Sequence, residues 1–391
     1  MLHNFCTFQT YLVIPSAMSS DLNYWTRRSP YFECARRAGS KGWSVANHMY
    51  QPHSYDDPVA EYWHLVNGVT LWDVGTERQV EIYGPDAAAF VDLITPRNIT
   101  GVEAGSCRYI IITSEEGGIV NDPVMLRLAS DRYWLSCSDS DLLLWAKGVA
   151  VFAGMDVQIQ EPDVSPVQIQ GPKSWAVIAS LFGEDIANLA YYKLVETNFD
   201  NIPLVVTRTG WSGEFGYEVF LRDSRYGEEL WNRILEAGES HGLAVTGPSD
   251  IRRVEAGILG YGCDIGLDIN PFEAGMERML DLDSAREFIG KKALLGIREA
   301  GIKRRIAGVE LFSEPLQQGS FSERWPVLAD EKIGEVLIAL HSPRLEKNIG
   351  YAMISTEYSN LDTTLTVESP IGMMTAKIVE MPFVKPVKST D

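Results

Sequence analysis

Basic residues are scarce. Lys and Arg number 34 against 53 Asp and Glu, giving a formal net charge of −19 over 391 residues. Duplex binding needs a basic surface to meet phosphates, so nucleic acid is not the expected partner. Adsorption to an anionic membrane is disfavoured on the same ground. Cysteine is sparse as well. Cys6, Cys34, Cys107, Cys137 and Cys263 are odd in number, widely spaced and without a C-x-x-C pair. That argues against a disulfide framework or zinc knuckle and fits a reducing, cytoplasmic setting. No run approaches the ~18–20 apolar residues of a membrane span. No fixed-period repeat is visible, which removes solenoids and propellers. The six histidines form no metal-ligand spacing, and no G-x-S-x-G occurs. What is present is an ordinary globular balance, 45 % hydrophobic and 22 % charged, so wholesale disorder is out. The length suggests two or three core-forming units. A soluble protein acting on a small molecule is left standing.

Residues 1–17 hold a short apolar patch ending Pro15-Ser16-Ala17, with no basic residue ahead of it. The segment fails as a signal peptide on that count. It reads as a loose tail, or as a start assigned upstream of Met18; residues 1–28 are taken as tail. From Trp43 onward short apolar runs alternate with helical patterns. Helices are expected over 58–67, 87–94, 140–150, 173–181 and 227–238, the last with Leu230, Trp231, Ile234 and Leu235 on one side. Strands are expected over 70–74, 79–83, 109–113, 119–128, 133–137, 157–160, 166–170, 204–208 and 217–221. Strands outside strict β-α-β alternation imply an α+β fold. Past residue 303 the pattern becomes strand-rich, with no long helix. This predicts a boundary there and a small β-barrel or sandwich over 304–388, following a 29–303 unit.

Three segments could carry chemistry. In Gly117-Gly118-Ile119-Val120-Asn121-Asp122-Pro123, the proline restricts Asp122 to an extended backbone at a strand–loop junction. Asp122 is either a positioned carboxylate or a turn residue capping its own backbone. The run from Thr209 to Glu218 sets three glycines among Trp211, Phe215 and Tyr217. It is neither a Walker loop nor a dinucleotide fingerprint. A loop so rimmed could hold a flat heteroaromatic ligand. Glu218, on the outgoing strand, could pair with a ring N–H and an exocyclic amine, as a pterin offers. Equally, the run could be a plain hairpin with Phe215 and Tyr217 in the core. In Arg252-Arg253-Val254-Glu255, one arginine could clamp a ligand carboxylate, or the pair could salt-bridge internally with Glu255.

Taken in order, the segments GGIVNDPV, TRTGWSGEFGYEVF, IRRVEAGILGYG, NPFEAGM, FIGKKAL, IGYAMISTEY and AKIVEMPF resemble the aminomethyltransferase (glycine-cleavage T-protein) family. The resemblance runs from about Tyr31 to Pro382. Within the family, LWDVGTERQVEIYGPDA, LITPRNIT and GGIVNDPVMLRL are most similar to the dimethylsulfoniopropionate demethylases. The Gly210–Gly216 loop is closer to the aminomethyltransferase form. Phe220 stands where those demethylases have a tyrosine near substrate.

The resemblance implies a fold of three subdomains around a folate site, the last a small β-barrel, and tetrahydrofolate as co-substrate. Carried over residue by residue, Asp122 would be the catalytic acid. Glu218 would bind the pterin edge, with Tyr109 stacked near it and Trp211 at the rim. Arg253 would hold a carboxylate of folate or substrate. Trp72, Tyr217 and Phe220 are the expected substrate residues. The implied reaction moves a methyl group from a small onium or methylated-amine donor to tetrahydrofolate. The alternatives are a glycine-cleavage aminomethyltransferase, which works with a lipoyl carrier protein, and a non-catalytic folate-binding regulator. No metal is implied.

Overall fold

The computed structural model describes residues 25–138, 141–316 and 323–389. Most of the expected N-terminal tail, with Cys6 and Met18, therefore lies outside the described residues. Arg27, within that expected tail, exchanges backbone hydrogen bonds with His48 and Tyr50.

Two antiparallel-rich sheets and a closed barrel dominate the strand framework, with two two-stranded ladders beside them, Gly42–Ala46 with Met49–Ser54 and Ile112–Thr113 with Ile119–Asn121. The first sheet has five strands in the order Gln158–Gln160, Gln79–Tyr83, Arg132–Ser136, Val124–Ala129, Ser106–Tyr109. The second has six, in the order Leu194–Phe199, Ile202–Thr207, Gly216–Leu221, Ser165–Gln170, Thr70–Asp73, Ala244–Val245. Its last pairing is parallel and the rest antiparallel. Side chains on a strand alternate between faces, and the sequence uses both faces of each sheet. Tyr133 and Leu135 turn outward, under the helices Ala87–Ile94 and Leu142–Ala153. Trp134, between them, turns inward to meet Phe220 of the second sheet. In that sheet Val167, Ile169, Tyr217, Val219 and Leu221 turn outward, under the helices Ser174–Phe182 and Gly227–Glu239. The result is helix, sheet, sheet, helix. The space between the sheets holds a small apolar patch and a set of buried polar residues.

The barrel closes in the order Arg304–Phe312, Lys347–Ser355, Lys332–Ser342, Trp325–Leu328, Thr364–Ser369, Gly372–Val379. Val309, Val327, Val336, Val367 and Ile378 fill its interior. Ile306, Ile338 and Tyr351 pack outside it against Ile251, Val254 and the 259–279 loops. The chain then returns to the second sheet's side of the molecule. Val384 N–H donates to Glu255 O, and Val387 N–H to Gly213 O, each at 2.8 Å. The α+β class, the three bodies and the small C-terminal barrel agree with expectation.

Where the elements differ, the reasons are local. The strand expected over 109–113 is two, Ser106–Tyr109 and Ile112–Thr113, in different sheets. The strand expected over 119–128 breaks at Asp122-Pro123, since Pro123 has no N–H to continue a ladder. The glycine pair ahead of it is needed for two reasons. Gly117 has φ +84°, and a Cβ on Gly118 would sit 2.0 Å from the Leu267 carbonyl oxygen. Helix Pro58–Asn67 starts as its sequence suggests, with Asp57 accepting from Val59 and Ala60 N–H at 3.0 and 2.9 Å. The helix expected from residue 140 runs Leu142–Ala153; residue 140 lies outside the described residues.

Candidate active site

The polar part of the inter-sheet space opens into a cavity of about 500 Å³. Its walls come from the inward faces of both sheets, the 257–263 and 274–279 loops, and residues 386–388. That volume suits a cofactor-sized ligand.

Asp122 sits in this cavity between the strands Ile119–Asn121 and Val124–Ala129, only 8 % exposed. Its Oδ2 accepts from Tyr109 Oη at 2.9 Å and its Oδ1 from Ser138 Oγ at 3.1 Å. Burial pushes its carboxyl up to about 7 from an ordinary 3.8, while the Tyr109 and Ser138 hydrogen bonds pull the other way. A carboxyl poised there can hold a cation or exchange a proton near neutrality. The bond to Asp122 places Tyr109 beside the acid. Burial, reinforced by Asp122, holds the Tyr109 phenol well above its usual range.

A second polar group sits in the same cavity. Gln168 Nε2 donates to Glu77 Oε1 at 3.1 Å and to Glu218 Oε1 at 2.8 Å. Glu218 Oε2 accepts from Thr209 and, at 3.5 Å, from Thr207. Burial pushes both glutamates upward, Glu77 well above its usual value, with the Glu218 charge adding to the burial effect there. Both carboxyls accept from the one Gln168 Nε2, so they lie side by side in the cavity. Glu218 was expected here; Glu77, Gln168 and Ser138 were not. Gln168 carried a signal, as a polar residue at an inward position of the Ser165–Gln170 strand. Glu77 carried none, lying in a connection just after Thr70–Asp73.

Trp211 lines the cavity, and the Arg253 guanidinium lies 5.3 Å from its ring centroid. Arg253 also lines it, but Nε donates to Asp250 at 2.6 Å and Nη1 to Asp264 at 2.7 Å. Nη2 alone makes no hydrogen bond to the described residues, so it is the atom through which Arg253 could meet a ligand carboxylate. Arg252 is the internally bridged arginine. It is fully buried, 2.6 Å from Glu214 and 3.9 Å from Glu255.

The expected substrate residues divide. Trp72 reaches the cavity wall, held by Nε1 donating to Thr246 Oγ1 at 2.7 Å. Tyr217 and Phe220 do not line the cavity, which corrects that expectation. Tyr217 lies on the outward face of its strand, against Phe215, with its hydroxyl on Ala187 O. Phe220 shares the inward face with Glu218 but is carried past the cavity into the apolar patch. There its ring centroid is 6.2 Å from that of Trp134. Phe215 and Tyr217 thus pack in the core, as a plain hairpin would place them, while Trp211 lines the cavity.

Two family models match in series: the GCVT N-terminal domain over residues 31–284, and the glycine cleavage T-protein C-terminal barrel domain over residues 304–385. The chain is 37 % identical over 357 residues to the dimethylsulfoniopropionate demethylase of Ruegeria pomeroyi, covering 90 % of this chain and 96 % of that one. It is 29 % identical over 371 residues to the aminomethyltransferase of Bacillus mycoides, covering 92 % and 98 %. In fold it is similar to the glycine cleavage system aminomethyltransferase T of Bartonella henselae, with a TM-score of 0.81 at 22 % identity over 93 % and 99 % of the two chains. Among the described residues no helix is long and apolar enough to cross a membrane. With both domain models matched in order, and the barrel and cavity built as above, the chain belongs to the aminomethyltransferase (glycine-cleavage T-protein) family.

Proposed function

We propose that the protein is a tetrahydrofolate-dependent demethylase, taking a methyl group from a small onium or methylated-amine donor of the dimethylsulfoniopropionate kind. The observation that carries this reading is the buried Asp122, held by Tyr109 and Ser138 in the cavity that also contains Glu77, Gln168 and Glu218. The 37 % identity to the Ruegeria demethylase supports it.

The cavity residues fit tetrahydrofolate. The acid pair with Gln168 offers a hydrogen-bonding end for a pterin, Trp211 a flat rim, and Arg253 Nη2 a donor for a carboxylate. When bound, tetrahydrofolate supplies a nitrogen nucleophile as acceptor of the one-carbon group. The protein's own contribution is mostly alignment. An onium methyl is already activated, because its leaving group departs neutral, and positioning alone can be worth several kcal/mol. Asp122, once ionised, holds the donor's positive charge against the acceptor and is placed to take up a proton. The faces of Trp72 and Trp211 would add about 0.5–2 kcal/mol each toward a desolvated cation. Asp122 is only 8 % exposed, and a low-dielectric setting strengthens its attraction to a cation. The reading belongs to the cytoplasm, where the thiols stay reduced.

A second reading is a glycine-cleavage aminomethyltransferase served by a lipoyl carrier protein. The Bacillus relative and the form of the Gly210–Gly216 loop favour it. An anaerobic assay separates the two. Tetrahydrofolate is offered with dimethylsulfoniopropionate, glycine betaine, dimethylglycine or sarcosine, and folate products are read by mass spectrometry. 5-Methyltetrahydrofolate from one donor is the expected result. No product from any donor, with turnover appearing once a lipoylated, aminomethyl-loaded carrier is added, overturns the demethylase reading.

A further inference from the structure

Glu77 lies in the cavity beside Glu218, the expected pterin-binding acid, and its own role in reading the ligand is unassigned. One amide nitrogen, Gln168 Nε2, reaches Oε1 of both Glu77 and Glu218, at 3.1 and 2.8 Å. Both carboxyls line the cavity. The second oxygen of Glu218 already accepts from the Thr209 hydroxyl, itself backed by Thr207, an arrangement that suits a charged carboxylate. Glu77 receives one amide donor and faces Glu218. Two carboxyls held by one amide nitrogen, Glu218 buried and Glu77 half-buried, cannot both ionise cheaply, so one of them is the acid form. The Glu218 side, with more donors, is the better home for the charge. Glu77 therefore carries the proton and is itself a hydrogen-bond donor.

The pair then presents one donor and two acceptors to the cavity. A 2-amino-4-oxo pterin presents the complement along its lactam edge: a 4-oxo acceptor, an N3–H donor and a 2-amino donor. We infer that Glu77 and Glu218 read this edge together, Glu218 accepting from N3–H and the 2-amino group, the Glu77 hydroxyl donating to the 4-oxo oxygen. This rests on the folate reading above and adds a specificity-determining residue to it. In the free protein the Glu77 hydroxyl turns to Glu218; on binding it turns to the ligand. No proton is lost in the exchange, so the pair must keep its proton for the edge to be matched.

The groups facing the pair are Gln168, Thr207 and Thr209 from the second sheet, with Asp122 elsewhere in the cavity. Cys107, Tyr191 and Tyr192 also feel the Glu218 charge, and burial pushes all three up, so they stay neutral near pH 7. Burial pushes the Asp122 carboxyl, also in the cavity, up to about 7, inside the pH range of the measurement. The test is therefore run on the Asp122→Asn protein, which removes that titration.

Binding of tetrahydrofolate is measured by anaerobic calorimetry between pH 6 and 9, with Glu77 intact, Glu77→Gln or Glu77→Ala, each checked for folding by thermal melting. With Glu77 intact, affinity should fall as pH rises through the loss of the pair's proton, approaching about tenfold per pH unit. Glu77→Gln, whose amide N–H replaces the hydroxyl donor, should bind within about threefold at neutral pH and lose that slope. Glu77→Ala should bind at least about tenfold more weakly at every pH. A 2,4-diamino analogue, which offers a donor where the 4-oxo group accepts, should bind the Glu77 protein worse than the 4-oxo ligand. The inference is overturned if Glu77→Gln keeps the parent slope, or if Glu77→Ala binds like the parent. Those outcomes leave the folate reading intact. Failure of the parent protein to bind tetrahydrofolate at any pH overturns both.

Discussion

Tyr109 and Asp122 stand 13 residues apart, on either side of a glycine pair, and meet through a 2.9 Å hydrogen bond from phenol to carboxylate. The intervening chain leaves the five-stranded sheet, makes the short ladder Ile112–Thr113 with Ile119–Asn121, and returns at Val124. The phenol and the acid are thus set against each other by the backbone path itself. With Ser138 on the other carboxylate oxygen, Asp122 has its orientation fixed before any ligand arrives.

Asp122→Asn should lower turnover by about 10²-fold or more, the usual scale for losing a positioned acid or base. Tetrahydrofolate affinity should change by less than about threefold. Single-turnover kinetics beside equilibrium binding separates the two quantities. A parallel loss of both would remove the catalytic assignment.

Tyr109→Phe deletes a hydrogen bond that holds the Asp122 carboxyl down. The carboxyl should therefore titrate above its present value of about 7. Losing a bond to a charged group costs about 1.5–3 kcal/mol, or about one to two pH units. If ionised Asp122 is the working form, activity at pH 7 falls and the rising limb of the kcat profile moves upward by that amount. A variant with lower activity at every pH and an unmoved limb would make Tyr109 a packing residue only.

The part of this site legible in sequence is the part that depends on local rules. Gly117, Gly118 and Pro123 set the backbone around Asp122, and each acts within a few residues. Glu218 and Tyr217 could be assigned to opposite faces by strand alternation alone. Phe220 could not, because alternation puts it on the same face as Glu218. What removes it from the cavity is Trp134, from a different sheet. Glu77 was equally hidden, since its partners Gln168 and Glu218 are brought to it by the register of three strands. Arg253 was half legible. Asp250, one helical turn back, is a local partner, whereas Asp264 lies beyond the loop after the helix.

Phe220→Leu tests the corrected placement. It trims a ring from the inter-sheet patch and should cost about 1–2 kcal/mol of stability, measured by denaturant unfolding. KM for the methyl donor should stay within about twofold. A large rise in KM without loss of stability would return Phe220 to the substrate site.

Arg252→Met probes the link between the cavity wall and the returning C-terminal chain. Arg252 is fully buried and holds Glu214 at 2.6 Å, with the Gly213 and Lys385 carbonyls at 3.1 and 3.3 Å. Removing it leaves Glu214, 5 % exposed, with Arg344 at 3.7 Å as its nearest cation. Breaking a buried pair costs about 3–5 kcal/mol; the remaining arginine should hold the loss to about 3 kcal/mol. Limited proteolysis should then cut after residue 383 earlier than in the parent. Unchanged cleavage with reduced stability would confine the role of Arg252 to the pair itself.

The same burial that poises Asp122 makes it a cost to the fold. Its folded-state value is raised to about 7 from 3.8, so the folded chain binds this proton more tightly than the unfolded chain. The favourable contribution is fully present below about pH 3.8 and is lost as pH rises through about 7. Above that the carboxylate opposes folding by up to about 4 kcal/mol, since each pH unit separating the folded and unfolded titrations is worth about 1.4 kcal/mol. Asp122→Asn removes this titration. Its melting temperature relative to the parent should therefore climb between about pH 4 and 8 and level off beyond. The trend is read against pH, so a fixed offset from altered hydrogen bonding at Tyr109 and Ser138 does not disturb it. A pH-independent difference would mean that Asp122 is not held protonated by burial, and would take with it the argument that the acid works near neutrality.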